Sequence, residues 1–189
     1  MASDDPAQLS AYIDESVHDD HGLYVIGAVL APDRARPLAE RDLTGVRPDL
    51  APPHWHVEAG GIREKLVAVV RTLPIEARVY ACAFERPSRQ EAARARALRW
   101  FVSDLDVELE QLVLDRREHS QNADDRRLLT MLLGSNPRFR YRHARFDSEP
   151  LLWVADIVAG AVAATWVRGC DHITGGLDRI LSACERESG

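Results

Sequence analysis

The sequence predicts a single α/β domain in which a mixed β-sheet is flanked by helices. Two short apolar segments near the start have the pattern of an antiparallel hairpin. Helical patterns then alternate with three further strands, which is typical of a sheet covered by helices. The chain of 189 residues contains no internal repeat and no linker between domains. Together these observations predict one domain rather than two.

The composition limits the class of function. Hydrophobic residues make up 46% of the chain and charged residues 29%, as in soluble globular proteins. The net charge of -6 argues against a protein that coats nucleic acid non-specifically, since such proteins are usually basic. The three cysteines lack metal-type spacing, and the acidic N-terminus does not resemble a secretory signal. We therefore expect a cytoplasmic protein outside the membrane, with its oligomeric state open.

The first half of the fold is predicted to begin at residue 11, after a flexible lead over residues 1–10. Residues 11–17 and 23–30 are the expected hairpin strands, joined by a turn rich in His, Asp and Gly. A short helical or irregular piece and a proline-rich loop follow. A helix is then expected over about residues 62–73, where apolar residues recur at helical spacing.

The second half of the fold is predicted to alternate strands and helices. In chain order these are a strand over 77–84, a helix over about 88–109, a strand over 112–115, a helix over about 124–133 and an edge strand over 138–143. Ser88 is expected to cap the long helix, with Glu91 completing a capping box. The domain itself is expected to span residues 11–168. Residues 169–189 are predicted to form a loop and a short amphipathic helix.

Residues 151–166 predict a helix that is buried on every side, because the run has no solvated face. The run is shorter than the ~20 apolar residues that a membrane span needs. Ser148 suits its N-cap and Pro150 its first turn. Asp156 is the only ionisable residue in the run, and burying an isolated carboxylate is costly. Either a metal ion or a basic side chain, such as Arg78 or an arginine of 138–145, should therefore meet it.

Two further aspartates end predicted strands, Asp14 and Asp115. Ligands gather at strand ends in open α/β sheets, so these carboxylates are expected to converge with Asp156. Crowded carboxylates stay ionised only around a cation, and oxygen ligands suit Mg²⁺ or Mn²⁺. Such a site supports two-metal phosphodiester hydrolysis. Glu58 is predicted as the fourth ligand, with His56 beside it as the alternative.

Other polar residues are candidates for supporting or substrate contacts. Glu15 should face away from Asp14 on a regular strand. The supporting or substrate-contacting set consists of His56, Glu15, Ser16, Asp147 and Ser148. Arginines at alternate positions of the edge strand fit either a phosphate track or a charged edge that prevents strand pairing. They are Arg138, Arg140 and Arg142. Trp55 fits either a base-stacking platform or a plug over the core.

Four segments of the chain together resemble the DUF3800 family. They are Tyr12-Ile13-Asp14-Glu15-Ser16, the stretch from His54 to Glu58, Leu114-Asp115-Arg116, and Asp147-Ser148 followed by the helix from Leu151 to Ala161. These segments occur in the family's order and cover the chain from about residue 12 to residue 166. The chain departs from the family's pattern at Val17, where glycine is usual, and at Leu152-Trp153, where the family favours Leu-Gln.

The resemblance implies a ribonuclease H-like fold for residues 11–168. It also implies that Asp14, Asp115 and Asp156 occupy the family's acidic positions, and that the activity is that of a divalent-metal nuclease. The substrate would be nucleic acid, with RNA and DNA both open. The alternative is a non-catalytic binding or accessory module of the same fold, which the negative net charge and the lack of a nucleic-acid-binding arm favour.

Overall fold

The computed structural model describes residues 8–48, 52–169 and 181–187. Within these residues the strands are β1 (Leu9–His18), β2 (Leu23–Pro32), β3 (Glu76–Ala83), β4 (Leu109–Asp115), β5 (Arg140–Ala144) and β6 (Leu181–Glu187). The α-helices are α1 (Ala35–Val46), α2 (Gly60–Val70), α3 (Gln90–Ser103), α4 (His119–Leu133) and α5 (Pro150–Arg168). Short 3-10 turns lie at Asp19–His21, Trp55–Val57, Pro87–Arg89 and Phe146–Ser148.

The strands form one sheet in the order β5-β4-β1-β2-β3-β6. β1, β2 and β3 pair antiparallel as a meander, whereas β4 pairs parallel with β1, β5 with β4, and β6 with β3. The predicted hairpin and the predicted mixed sheet flanked by helices are therefore confirmed. β5 lies at the edge of the sheet, as the alternation of its arginines and aromatics predicted.

Each face of the sheet buries its own hydrophobic cluster, because successive side chains of a strand point to opposite faces. On one face, Tyr12, Val29 and Val113 pack with α1, α2 and α5. On the other, Ile13 and Leu114 pack with α3 and α4. This division decides which strand-end residues share a face with α5.

α5 is the central helix of the first cluster, and it is buried from Pro150 to Ala164. Its length and composition alone would allow it to cross a membrane, and it is the one such helix among the described residues. However, 83% of that stretch is buried inside the protein, as expected of a core helix. The prediction of a helix without a solvent face is therefore confirmed by its burial.

Gly27 of β2 allows α5 to lie directly on the sheet. A Cβ atom at Gly27 would lie 2.6 Å from the backbone oxygen of Ala155 and 2.9 Å from the backbone nitrogen of Ala159. Because both neighbours are helix backbone, neither can move without moving α5. Glycine at this position therefore sets the distance between α5 and the middle of the sheet.

The long helix α3 differs from its prediction at both ends. Ser88 lies in a 3-10 turn, and α3 has Arg89 at its N-cap position without a side-chain capping bond, so the predicted capping box is wrong. The helix ends at Ser103 rather than near residue 109, since Leu109 pairs with Leu9 in the sheet. Tertiary strand pairing overrides the local helical pattern there.

Helices α4 and α5 also start differently from prediction. α4 begins at His119, where Glu118 and Gln121 form a reciprocal capping box. Glu149 rather than Ser148 is the N-cap residue of α5, because the Ser148 hydroxyl donates to the backbone oxygen of Arg145 at 3.0 Å. The predicted Ser148 cap is therefore wrong, while Pro150 lies in the first turn as predicted.

The C-terminal tail contains a strand that the sequence pattern does not predict. Leu181–Glu187 forms β6 and pairs parallel with β3, although its run of small and charged residues lacks strand signals. This strand is defined by its backbone hydrogen bonds to β3 and not by its composition. The predicted amphipathic helix falls mostly on residues 170–180, which lie outside the described residues.

Candidate metal centre

The ends of β1 and β4 place Asp14 and Asp115 side by side. These strands are parallel, with Ile13 opposite Leu114, so the next residue of each strand is an aspartate. By the alternation of a strand, Asp14 lies on the face of Tyr12 and Asp115 on the face of Val113. Both aspartates therefore share the face of the sheet that α5 covers.

α5 brings Asp156 to the same place. Asp14 pairs with Gly27 across β1 and β2, and Gly27 touches the backbone of Ala155, the neighbour of Asp156. Asp156 is 5% exposed and Asp14 is 6% exposed. The structure thus brings together the three aspartates that the sequence singles out.

The carboxylates of this centre repel one another. Burial raises the pKa of Asp14 well above its usual value, and the charges of Glu15, Asp156 and Asp115 raise it further. Burial raises the pKa of Asp115 to about 6, with the charge of Glu15 as the next cause. Buried negative charges with elevated pKa values are the electrostatic signature of a cation site or of a proton-binding cluster.

Asp156 is held by the segment before α2. Its Oδ2 atom accepts a hydrogen bond from the backbone N–H of Trp55 at 2.7 Å and lies 3.1 Å from His54 Nδ1. The hydrogen bond to Asp156 raises the pKa of His54, which favours an imidazolium that donates to the carboxylate. The His54 ring also stacks on Phe146, with centroids 4.6 Å apart.

Trp55 is a plug over α5 rather than an open platform. Its side chain is 5% exposed, and its indole lies where a Cβ atom of Gly160 would be. The guanidinium of Arg63 lies 4.9 Å from the centre of the Trp55 ring. This packing fixes the backbone N–H that binds Asp156, so Gly160 and Trp55 together orient the carboxylate.

The donor set suits a hard divalent cation. Among buried oxygens of the described residues, Asp115 Oδ1 has no hydrogen-bond partner, and Asp14 shares its surroundings with further carboxylates. However, no three His, Cys, Asp or Glu side chains of the described residues stand in ion-binding geometry. Asp156 Oδ2 is turned to Trp55 and His54. Mg²⁺ or Mn²⁺ fits the chemistry of these residues, provided that Asp156 exchanges a partner.

Comparison with solved structures identifies the fold. A chain of the PCNA:RNase HII complex from Archaeoglobus fulgidus has a TM-score of 0.55 and 16% identity, over 93% of this chain and 83% of that chain. Ribonuclease H2 from Pyrococcus horikoshii OT3 has a TM-score of 0.54 and 16% identity, over 89% and 76% of the two chains. A mutant of Bst-RNase HIII has a TM-score of 0.51 and 14% identity, over 89% and 56%.

The fold is ribonuclease H-like. No protein-family model and no curated protein sequence matches the chain. At these identities the likeness shows the fold alone, so the roles of individual residues must be argued from their own geometry. In this ribonuclease H-like sheet, Asp14 and Asp115 lie toward the ends of β1 and β4 beneath α5, which carries Asp156.

Glu58, the predicted fourth ligand, lies in a different ion pair. Its buried carboxylate binds the guanidinium of Arg47, which follows α1. The described contacts do not join Glu58 to the aspartates, and His54 takes the position next to Asp156 that was expected of Glu58 or His56. His56 is exposed and contacts His54 instead, with the two Nδ1 atoms 3.1 Å apart. A compact polar cluster in the sequence does not reveal which of its members turns inward.

The remaining supporting residues lie around the centre with their own partners. The Ser16 hydroxyl is 3.1 Å from His18 Nε2, and both line a cavity of about 240 Å³ that reaches Asp156 and His54. Asp147 is exposed and binds Arg145 rather than the centre, so it has no described contact with the aspartates. Three of the supporting residues, Glu15, Ser16 and His56, thus line the cavity that reaches Asp156.

The arginines of the edge strand are held by protein acceptors. Arg140 binds Glu110 at 3.0 Å, and Arg142 binds Glu149 at 3.1 Å. Arg138 precedes β5 and donates to the backbone oxygen of Val102 at 3.2 Å. The three side chains therefore have separate partners and do not form one continuous described track.

Neither Arg78 nor the arginines of 138–145 supply the basic partner considered for Asp156. Arg78 binds Glu76 and Asp106 on the opposite side of the sheet from α5, together with the backbone of Asp104. Among the described contacts, the partners of Asp156 are the Trp55 N–H and His54. The buried carboxylate is therefore met by hydrogen bonds and an imidazole, which the sequence analysis did not assign.

A buried charge network on the opposite face supports the end of β1. Arg94 of α3 is 1% exposed and binds Asp125 of α4 through two hydrogen bonds, at 2.9 and 3.0 Å, and also binds Glu15. His143 lies 3.2 Å from Asp125. Although burial alone would raise it, the hydrogen bonds from His143 and Arg94 lower the pKa of Asp125.

This network was not predicted from the sequence, although one signal was present. Arg94 shares a helical face with Leu98 and Phe101, and Asp125 shares one with Leu128 and Leu129. A charge within an apolar stripe must have a buried partner. Because Arg94 holds Glu15 on the far face, the neighbouring Asp14 is directed toward α5.

Proposed function

We propose that this protein is a divalent-metal-dependent nuclease and a member of the DUF3800 family. One observation carries the proposal: three aspartates from β1, β4 and α5 meet on one face of a ribonuclease H-like sheet. Buried carboxylates in such numbers are electrostatically unfavourable without a cation. A role as structural caps would not explain why the charges of Asp115 and Asp156 both act on the buried Asp14.

Asp14, Asp115 and Asp156 would hold Mg²⁺ or Mn²⁺. The bound ion supplies activation of water and stabilisation of the leaving oxygen in phosphodiester hydrolysis. The Trp55 N–H orients Asp156, and Gly160 provides the space for Trp55. His54 holds a proton between its Nδ1 atom and Asp156 Oδ2, and it borders the cavity that leads to the centre.

The substrate class is nucleic acid. The solved structures of similar fold are named as ribonucleases HII, H2 and HIII, so an RNA–DNA hybrid is the first substrate to test. Single-stranded RNA and DNA are the alternatives. The cytoplasmic location remains a prediction of the sequence.

The test is cleavage of labelled hybrid, RNA and DNA in Mn²⁺. We expect Asp14→Asn and Asp156→Asn to lower the rate by at least about a hundredfold, because each removes a charged ligand. Asp42→Asn is the matched control, since Asp42 is a partly exposed carboxylate of α1 that binds its neighbour Arg41. Equal rates in the wild type and both centre variants, or no cleavage by the wild type, would contradict the proposal.

The alternative proposal is a non-catalytic module that binds nucleic acid. It is favoured by one observation: the Oδ2 atom of Asp156 is already occupied by His54 and Trp55, and the described side chains are not in ion-binding geometry. Retention of a hybrid on a gel without cleavage in Mn²⁺ or Mg²⁺ would support it. Cleavage that depends on Asp14 would exclude it.

A further inference from the structure

A second cavity lies between β4, β5 and α4. Its volume is about 570 Å³, against about 240 Å³ for the cavity that reaches Asp156. Arg116, which directly follows Asp115, is part of its wall. The cavity wall and the centre thus contain consecutive residues at the end of β4.

The wall of this cavity is strongly basic. Its charged and titratable lining residues are Arg116, Arg117, His119, Arg126, Arg142 and His143. No Asp or Glu is among the described residues that line it. The potential inside it is therefore positive, although the whole chain has a net charge of -6.

Two of the four arginines are already neutralised. Arg117 binds Glu91 at 2.8 Å and Asp125 at 3.1 Å, and Arg142 binds Glu149 at 3.1 Å. These ion pairs fix their guanidinium groups and leave little charge for a ligand.

The other two arginines are uncompensated. Arg116 and Arg126 are exposed, and neither forms an ion pair with any residue in the described part of the chain. The next residue of α4, Arg127, binds Asp124 instead. Two guanidinium groups without ion-pair partners that share a cavity wall can bind one anion that accepts hydrogen bonds from both.

We infer that this cavity binds a phosphate group of a nucleic-acid strand, an inference that rests on the proposed nuclease function. Guanidinium forks match the oxygens of phosphate, and the cavity starts one residue from Asp115. A strand that reaches the aspartates would place a neighbouring phosphate near Arg116 and Arg126. The arginines of the edge strand do not provide this site, since only Arg142 belongs to the cavity.

The test measures binding without cleavage. Anisotropy of a labelled RNA–DNA hybrid is followed in chelator, with Arg116→Gln, Arg126→Gln and the matched control Arg127→Gln. We expect each cavity variant to weaken binding by about tenfold and to reduce the salt slope by about one, because one phosphate contact is lost. Arg127→Gln should change the affinity by less than about twofold, since exposed ion pairs contribute little.

Two probes distinguish the source of the phosphate. A hybrid with a 5′-phosphate is compared with the same hybrid ending in a 5′-hydroxyl, and inorganic phosphate is added as competitor. A loss confined to the 5′-phosphorylated hybrid assigns the cavity to a strand end, and an equal loss on both assigns it to a backbone phosphate. Either result supports the site. Equal effects of Arg126→Gln and Arg127→Gln would overturn it.

The outcome is separable from that of the nuclease proposal. If the wild type binds through Arg116 and Arg126 but never cleaves, the phosphate site stands and the nuclease proposal fails. If cleavage depends on Asp14 while binding ignores both arginines, only the phosphate site fails. Circular dichroism of each variant confirms that the fold is retained.

Discussion

At the scale of single residues, the protonation of Asp115 changes just below neutral pH. Burial and the charge of Glu15 raise its pKa from 3.8 to about 6, and its Oδ1 atom has no hydrogen-bond partner among the described residues. The folded chain therefore binds this proton more tightly than the unfolded chain does. The stability from Asp115 is full below its ordinary pKa and is lost as pH rises through about 6.

Asp115→Asn should remove this loss of stability with rising pH. In chelator above about pH 6, we expect the variant to be more stable than the wild type by about 1 kcal/mol, after reduction for solvent screening of a partly exposed group. Near about pH 4 the two should be alike, because the wild-type carboxyl is then protonated in the folded state. Urea unfolding across this pH range measures the difference. Parallel pH profiles of the unfolding free energy for the two proteins would show that ionisation of Asp115 does not lower the stability.

The sequence predicted the residues of the centre in part. Their positions at the ends of predicted strands singled out Asp14 and Asp115, and the lack of a solvent face singled out Asp156. Glu58 was predicted to be a metal ligand, but it pairs with Arg47 at the end of α1, where α1 packs against α2. Local sequence contains no information on that pairing.

At the scale of secondary-structure elements, the centre depends on how closely α5 approaches β2. Gly27 touches the helix backbone at Ala155 and Ala159, directly opposite Asp14 in the sheet. Any side chain at Gly27 must displace the helix that carries Asp156. The position of one carboxylate relative to another is therefore set by backbone contact rather than by side-chain packing.

Gly27→Ala should destabilise the fold and the centre together. We expect a loss of about 1–3 kcal/mol of unfolding free energy, since neither backbone neighbour can move aside independently. Cleavage or Mn²⁺ affinity should also decrease, because Asp156 moves away from Asp14. Gly45→Ala is the control: Gly45 lies in α1 with nothing within 4 Å of its Cβ position, so stability should stay equal or rise. Equal stability of both variants in urea would contradict the close approach.

Most elements could be predicted from periodicity, and the exceptions share a cause. The start of α4 was placed five residues late because its first turn is polar, although Glu118 and Gln121 form a capping box. β6 lacks strand-forming residues and exists through pairing with β3. In both cases the deciding interactions are hydrogen bonds to the backbone, which are difficult to predict from composition.

At the scale of the whole molecule, strand order creates the centre. β4 returns to lie parallel beside β1 although β2, α1, α2, β3 and α3 separate them in sequence. No local sequence pattern predicts that β1 and β4 are neighbours, and their pairing is what brings Asp14 and Asp115 together. On the opposite face, Arg94 joins α3, α4 and β1 through Asp125 and Glu15. The two faces thus fix the end of β1 from both sides.

The proposed function requires these aspartates to form a divalent-metal site. Calorimetric titration with Mn²⁺ measures this binding, using the wild type, Asp14→Asn and the partly exposed control Asp42→Asn. We predict binding by the wild type and Asp42→Asn, a loss of at least about tenfold in affinity for Asp14→Asn, and a thermal midpoint that rises with Mn²⁺ only where binding occurs. A wild type that neither binds Mn²⁺ nor gains stability from it would contradict the claim, as would an Asp14→Asn variant that binds equally well.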